Sequence, residues 1–196
     1  MVAIETCWRV IPLQTPRVLR PCPRCGVIRR FASSDKFRVN AQRQKIDVWL
    51  IYKCLDCDDT WNCPIISRRT PKEIGAARYL KFEQNDRHLA WSCAFDFSLL
   101  STVRVQIDPS INFKVERSGG DASENGQCTR GIRLELTHEG VIRLDRLLAE
   151  QLQVSRSCLQ LWLATGQLVI MPERKNPLSK PAHNGQIIIL SAPTEG

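Results

Sequence analysis

Cys22-Pro-Arg-Cys25-Gly26 and, after the 28 residues that separate Cys25 from Cys54, Cys54-Leu-Asp-Cys57 make up the stretch that decides how the first third of this chain folds. Two residues between cysteines allow a tight turn that aims both sulfurs at one point, with backbone N–H groups free to stabilise the thiolates. Gly26 supplies permissive backbone just beyond the first pair. Two such turns complete a tetrahedron, so Cys22, Cys25, Cys54 and Cys57 are the expected ligands of one Zn2+. Four thiolates leave no open coordination position for water, and the ion is therefore expected to be structural rather than hydrolytic. Cys63 is close enough in sequence to serve as a substitute ligand; the other reading makes it a small buried hydrophobe beside Trp61 and Pro64.

Working outward, the alternating segment Asp47-Val-Trp-Leu-Ile-Tyr-Lys53 is rich in β-branched and aromatic residues and reads as a strand that delivers Cys54. The expectation is a zinc-ribbon module spanning residues 18 to about 68, preceded by an extended arm. Pro12, Pro16, Pro21 and Pro23 bar a helix there, because each ring removes a backbone donor and biases its predecessor toward the β region. The nine cysteines are an odd number, residues 1–10 carry Glu5 and Arg9 without a continuous apolar run, and no secretory signal is read. A disulfide framework is thereby disfavoured, and the chain is expected in a reducing cytoplasm, where paired Cys-x-x-Cys motifs bind metal. With 43% hydrophobic residues the composition is that of a globular protein, and no apolar run approaches the ~20 residues of a membrane span, so no membrane partner is expected.

The charge is lopsided. Residues 1–46 hold ten Lys/Arg against only Glu5 and Asp35, which accounts for the whole formal net charge of +8. Such a field suits an acidic partner, nucleic acid being the commonest; the blander reading is a solvated face that keeps the protein soluble. Trp49, Tyr52, Trp61, Phe31 and Phe37 interleave with these cations, an arrangement suited either to base stacking or to the core of a small module.

Beyond the ribbon, Thr70-Pro71-Lys-Glu73 reads as an N-cap, a proline at the first helical position and an acidic first turn, with the helix running to about Gln84. Asn85-Asp86 breaks it and caps a second short helix through Trp91 and Cys93, and Thr102 to Ile107 alternates like a strand. Ser118 to Gly126 is polar, glycine-bearing and free of aromatics, and reads as a linker. The expected architecture is α+β. It comprises an arm and zinc ribbon over residues 1–69, a helical and strand segment over 70–117, a linker over 118–129 and a C-terminal α+β domain over 130–196.

In that last segment Leu144, Leu147, Leu148 and Leu152 lie on one helical face and Arg143, Arg146 and Glu150 on the other. Ser155 is an N-cap for a second helix carrying Leu159, Trp162 and Leu163 until Gly166 stops it, and strands follow at 168–170 and 186–190. Arg143-Leu-Asp-Arg-Leu-Leu-Ala149, Ser155-Arg156-Ser157, Trp162-Leu163 and Gly166-Gln-Leu-Val-Ile170 resemble the S-four-type RNA-binding domain of ribosomal proteins, pseudouridine synthases and tyrosyl-tRNA synthetases, over about a quarter of the chain. That resemblance implies phosphate contacts from Arg143, Arg146 and Arg156, helix capping by Ser155, and Gln160 or Lys175 near the RNA backbone. A wider resemblance rests on Cys-Pro-Arg-Cys-Gly26, Asp47 to Cys54, Thr60-Trp-Asn62 and Phe82-Glu-Gln-Asn-Asp86. It is to a bacterial family catalogued as domain of unknown function 1062, and it implies architecture without an activity.

The sequence thus points first to a non-enzymatic, zinc-containing RNA-binding protein acting on structured ribosomal or transfer RNA. Leu148 to Trp162 also scans as a helix-turn-helix, which keeps DNA as a second partner and a DNA-binding regulator as a second function; a protein-interaction scaffold is the third. An enzyme is not expected, since His88, His138 and His183 are far apart in sequence and none lies in a nucleophile motif.

Overall fold

The computed structural model describes residues 4–108, 110–119 and 130–191. In chain order the strands and helices are β1 (Ile4–Pro12), β2 (Arg17–Pro21), β3 (Ile28–Gln42), β4 (Lys45–Cys54), β5 (Thr60–Arg69), α1 (Pro71–Ile74), α2 (Ala76–Glu83), α3 (Arg87–Ala94), α4 (Phe97–Thr102), β6 (Gln106–Asp108), β7 (Phe113–Ser118), β8 (Arg130–Leu136), α5 (Leu144–Leu152), α6 (Arg156–Ala164), β9 (Leu168–Met171) and β10 (Ile187–Leu190). The class is α+β, as the sequence implies. Among the described residues no helix is long and apolar enough to cross a membrane.

The chain divides into two compact units, a central one of residues 15–111 and a terminal one of residues 1–14 with 112–196. This grouping cuts across the boundaries read from the sequence. The N-terminal arm belongs with the C-terminal segment, and the helices after residue 70 belong with the cysteine-bearing sheet. Of the expected linker at 118–129, Ser118 closes β7, Gly119 follows it, and 120–129 lie outside the described residues.

The central unit is an antiparallel sheet in the order β5-β4-β3-β2-β6. Along β4 Ile46, Val48, Leu50, Tyr52 and Cys54 are buried, while the residues between them are at least partly exposed, the period-two signature of a strand with one covered face. The helices cover that face. Phe82 on α2 meets Phe37 on β3 edge-on at 4.9 Å, and Asn85 accepts the Phe37 N–H at 2.7 Å. Asp35, at φ +57° in a β3 bulge, accepts from Arg87 Nε at 3.3 Å and Trp91 Nε1 at 3.2 Å, which ties α3 to the sheet.

Two local expectations change here. The helix expected from residue 70 to 84 is two: Thr70 and Glu73 form a reciprocal capping box on α1, and Gly75 at φ +82° interrupts the helical path before α2. The strand expected at 102–107 shrinks to β6, because Asp96 accepts the Leu99 N–H at 3.0 Å and starts α4, whose Leu100 is fully buried. Phe97, Leu100 and Val103 repeat at helical spacing, and that periodicity prevails over the β-branched composition that follows.

The terminal unit is a mixed sheet in the order β7-β1-β8-β10-β9, with β1 parallel to β8 and antiparallel to β7. Trp8 and Val10 on β1 are buried while Arg9 between them is exposed. Leu144, Leu147 and Leu148 of α5 and Leu159 of α6 complete a core with no accessible surface on those four side chains.

Candidate metal centre and basic surfaces

The two cysteine turns are built alike. In the first, Gly26 at φ +73° donates its N–H to the Cys22 carbonyl at 2.9 Å, and the Cys22 N–H donates to the Val27 carbonyl at 3.0 Å. In the second, Asp58 at φ +59° donates to the Cys54 carbonyl at 3.0 Å, and the Cys54 N–H donates to the Asp59 carbonyl at 2.8 Å. Asp58 therefore does without a glycine's freedom what Gly26 does with it, aspartate being one of the few side chains that tolerate the left-handed region. The sequence reading singled out Gly26 alone; the signal for Asp58 is its equivalent place directly after the second cysteine of a pair.

Strand pairing between β3 and β4 sets Phe31 opposite Cys54, and the Leu55 N–H donates to the Arg30 carbonyl at 3.0 Å, so both turns lie at the same end of the sheet. The result is that the sulfurs of Cys22, Cys25, Cys54 and Cys57 all lie within 4.8 Å of one another, with Cys22 and Cys57 at 3.5 Å. A tetrahedral ion with metal–sulfur bonds of ~2.3 Å needs sulfur–sulfur edges of about 3.8 Å, so the four side chains fit such an ion. Backbone N–H groups support negative charge there. The Asp59 N–H on Cys57 lowers that thiol's pKa, but burial and the adjoining Cys25, Cys22 and Cys54 sulfurs override it and push Cys57 up to about 12. Without a cation the cluster resists carrying four charges, and a bound dication removes that resistance.

Cys63 is fully buried on β5 outside this cluster, and burial above all pushes its pKa up to about 12. It is a core residue rather than a substitute ligand. Cys93 is likewise buried, Cys7 and Cys158 are half-buried, and Cys128 lies outside the described residues.

The basic residues near the sulfurs are engaged within the protein. Arg20 lies over the rings of Phe31 and Trp61 at 5.2 and 4.6 Å. Arg24 donates to the Cys57 carbonyl at 3.0 Å, Arg29 pairs with Asp56 at 3.6 Å, and Arg30 pairs with the buried Asp108 at 2.8 Å. The aromatics weighed as stacking platforms are also occupied. Phe31, Phe37 and Tyr52 are buried, Trp61 is covered by Arg20, and Arg38 stands over Trp49 at 5.7 Å.

In the terminal unit Arg143 is the N-cap residue of α5 and holds Asp145 in a two-pronged contact, Nε at 3.0 Å and a terminal nitrogen at 2.7 Å. Arg156, the first residue of α6, approaches the same carboxylate at 3.9 Å. The Asp145 side chain is 7% exposed, whereas those of Arg143 and Arg156 are 46% and 60% exposed. Burial alone would raise the Asp145 pKa; the hydrogen bonds and charge of Arg143, the charge of Arg156 and the Arg146 N–H hold it below the ordinary carboxylate value. Arg146 is instead paired with Glu150 at 2.7 Å and lies over Phe113 at 5.4 Å. Ser155 caps α6, accepting the Cys158 N–H at 3.1 Å. Gln160 is exposed on α6 and Lys175 is exposed in the β9–β10 connection; neither makes a contact with the Arg143–Asp145–Arg156 group among the described residues. The sequence reading names the arginines but not the Asp145 carboxylate that gathers two of them.

The profile of the family described as "Protein of unknown function (DUF1062)" matches residues 39–174. No curated protein and no solved structure matches the chain.

Proposed function

We propose a function for this chain from the premise that it belongs to the DUF1062 family: it is a non-enzymatic RNA-binding protein of the cytoplasm that carries one structural Zn2+ and engages structured ribosomal or transfer RNA. The observation that carries this reading is the Arg143–Asp145–Arg156 group. A buried carboxylate holds two guanidinium groups in place while leaving about half of each side chain open to solvent. Pre-positioned arginines lose little side-chain freedom on binding and offer planar donors suited to phosphate oxygens. The order α5, α6, β9, β10 is the one expected from the resemblance to the S-four-type domain, which implies phosphate contacts from Arg143, Arg146 and Arg156. The four-cysteine site, read as a zinc ribbon, has the role of scaffold, since four thiolates saturate a tetrahedral ion.

The test is a titration of purified full-length protein against a labelled RNA hairpin at several salt concentrations, with elemental analysis of the same sample. One zinc per chain is expected. Binding should weaken steeply with salt, and Arg143→Gln with Arg156→Gln should weaken it about 10-fold or more at low salt while leaving the zinc in place. Micromolar protein that fails to bind RNA at low salt, or binds it with no salt dependence, removes the proposal. The succession α5, turn, α6 with an exposed Arg156 and Gln160 also fits a helix-turn-helix, so a duplex DNA of equal length belongs in the same titration. Preference for that duplex turns the reading to a DNA-binding regulator.

A further inference from the structure

At the end of the sheet away from the cysteines, cations of the central unit other than Arg69, which pairs with Glu73, lack an ion-pair partner among the described residues. The β3–β4 hairpin closes through Gln42 opposite Lys45, about 30 Å along β4 from Cys54. Its two-residue turn is Arg43-Gln44, with φ of +48° and +60°. Turns of this kind favour Asn-Gly or Asp-Gly, because other L side chains collide with their own backbone in the left-handed region. Neither position carries a residue that suits the turn, and one carries a guanidinium.

The neighbouring strand repeats the pattern. Between the pairs Ile46–Arg69 and Val48–Ile66 the register of β4 and β5 shifts, and the shift holds Arg68 at φ +51°, again left-handed and exposed. Bulges of this kind re-aim a side chain. Arg38, Asn40 and Gln42 lie opposite Trp49, Asp47 and Lys45, all on the face that the helices do not cover. Arg43, Lys45 and Arg68 have no ion-pair partner among the described residues. Asp47 accepts the backbone N–H of Arg68 at 2.8 Å, and Glu73 is taken by Arg69 and Thr70.

We propose that this hairpin end, through Arg38, Arg43, Lys45 and Arg68, grips the phosphodiester backbone of a nucleic acid, a contact on the central unit separate from the arginine pair at α5 and α6. The inference rests on the nucleic-acid function proposed above and adds where the central unit takes part. Charge without hydrocarbon is what selects this ligand. Among the described residues the large exposed hydrophobics are Leu13, Val27, Ile28, Leu55, Leu80, Leu161 and Met171, none of them within residues 36–49 or 64–74, and the half-buried Trp49 lies under Arg38. A protein interface would need an apolar anchor and a bilayer surface would need inserting side chains. A polyphosphate backbone needs neither, and the amides of Asn40 and Gln42 add donors for phosphate and sugar oxygens.

The experiment uses zinc-loaded full-length protein and three labelled probes of equal length, an RNA hairpin, an unstructured RNA and a duplex DNA, with anionic phospholipid vesicles as a fourth arm. Two variants are compared with the natural chain. In Arg43→Gln with Lys45→Gln and Arg68→Gln, affinity for the preferred probe should fall about 10- to 100-fold near 0.1 M salt, and the slope of log affinity against log salt should flatten by about 2. In Arg43→Asn with Gln44→Gly, the turn gains residues that suit it, so Tm should rise by about 2–5 °C while affinity falls about 3- to 5-fold. A rise in stability paired with a loss of binding is not the behaviour of a merely structural turn. Unchanged affinity and slope in the triple variant overturn this inference and leave the proposed function standing. No binding of any nucleic-acid probe by the natural chain removes both. Vesicle binding stronger than nucleic-acid binding, lost in the triple variant, overturns it in favour of a membrane surface.

Discussion

The central unit gathers four sulfurs at one end of its sheet, whereas the terminal unit, with a sheet of equal strand number, has no such cluster among the described residues and packs helix leucines against its strands. In the first, two turns that are distant in sequence are brought together at a point where Cys22 and Cys54 are almost fully buried. A cation bound by all four sulfurs would cross-link these turns, a role that neutral thiols cannot fill. In the second, leucines of α5 and α6 are buried, and the buried carboxylate of Asp145 is paired with arginines of the same unit. The difference teaches that the two halves should fail under different insults.

The largest expected effect is removal of the Zn2+ proposed for the four-cysteine site. Structural zinc contributes an apparent ~10–16 kcal/mol in small zinc domains at neutral pH, comparable with the ~5–15 kcal/mol that holds a whole domain folded. A strong chelator, or Cys54→Ser, should therefore abolish hydrogen-exchange protection across β2 to β5 while β8, β9 and β10 keep theirs. Acidification acts in the same direction, because metal binding requires deprotonated sulfurs and proton competition weakens it as pH falls. If a metal-free chain retains protection in both units, the contrast drawn between them is broken.

A smaller effect sharpens the other side. Asp145 has a folded pKa below its ordinary value, so its contribution to stability is full above the unfolded value near 4 and is lost as pH falls through the folded one. Asp145→Asn should cost the terminal unit about 1.5–3 kcal/mol at pH 7, the range of a hydrogen bond to a charged group, and the two proteins should converge in stability as pH falls through the lowered folded-state value. The zinc content should not change. A variant that remains parallel to the natural chain down to pH 2 would show that the carboxylate is not what holds Arg143 and Arg156.

Much of this division was legible in the sequence, and the part that was not has a common cause. The paired cysteines, the alternation of Asp47 to Lys53, the Thr70-Pro71-Glu73 start and the leucine spacing of α5 are local signals, and each appears where the local chemistry puts it. The placement of β1 is not local. Pro12 and the prolines that follow mark this arm as extended, but β7 and β8, the partners of β1, lie more than 100 residues away, and nothing in Cys7-Trp8-Arg9-Val10 specifies them. The same holds for charge. The ten cations of residues 1–46 read as one field, yet Asp56 and Asp108, distant in sequence, pair with Arg29 and Arg30 near the sulfurs, while Arg43 and Lys45 at the hairpin end have no ion-pair partner among the described residues. Gly75 is a reminder that a single left-handed residue divides a helix whose periodicity runs through it.

The smallest effect concerns the core that the metal end shares with the helices. Tyr52 is fully buried on β4, its ring 5.2 Å from that of Trp61, and its hydroxyl has no hydrogen-bond partner among the described residues. Burial raises its pKa far above the ordinary phenol value, so it stays protonated at any pH the fold survives. An unpartnered buried hydroxyl costs its desolvation without recompense, whereas the ring earns the packing. Tyr52→Phe keeps the ring and removes the cost, and should leave the stability of the central unit unchanged or raise it by up to about 1 kcal/mol in urea unfolding, with one zinc still bound. A loss of more than 1 kcal/mol would instead assign the hydroxyl a partner such as a buried water, and would make the centre of this sheet, like its sulfur-bound end, a place where polar chemistry rather than apolar packing holds the strands.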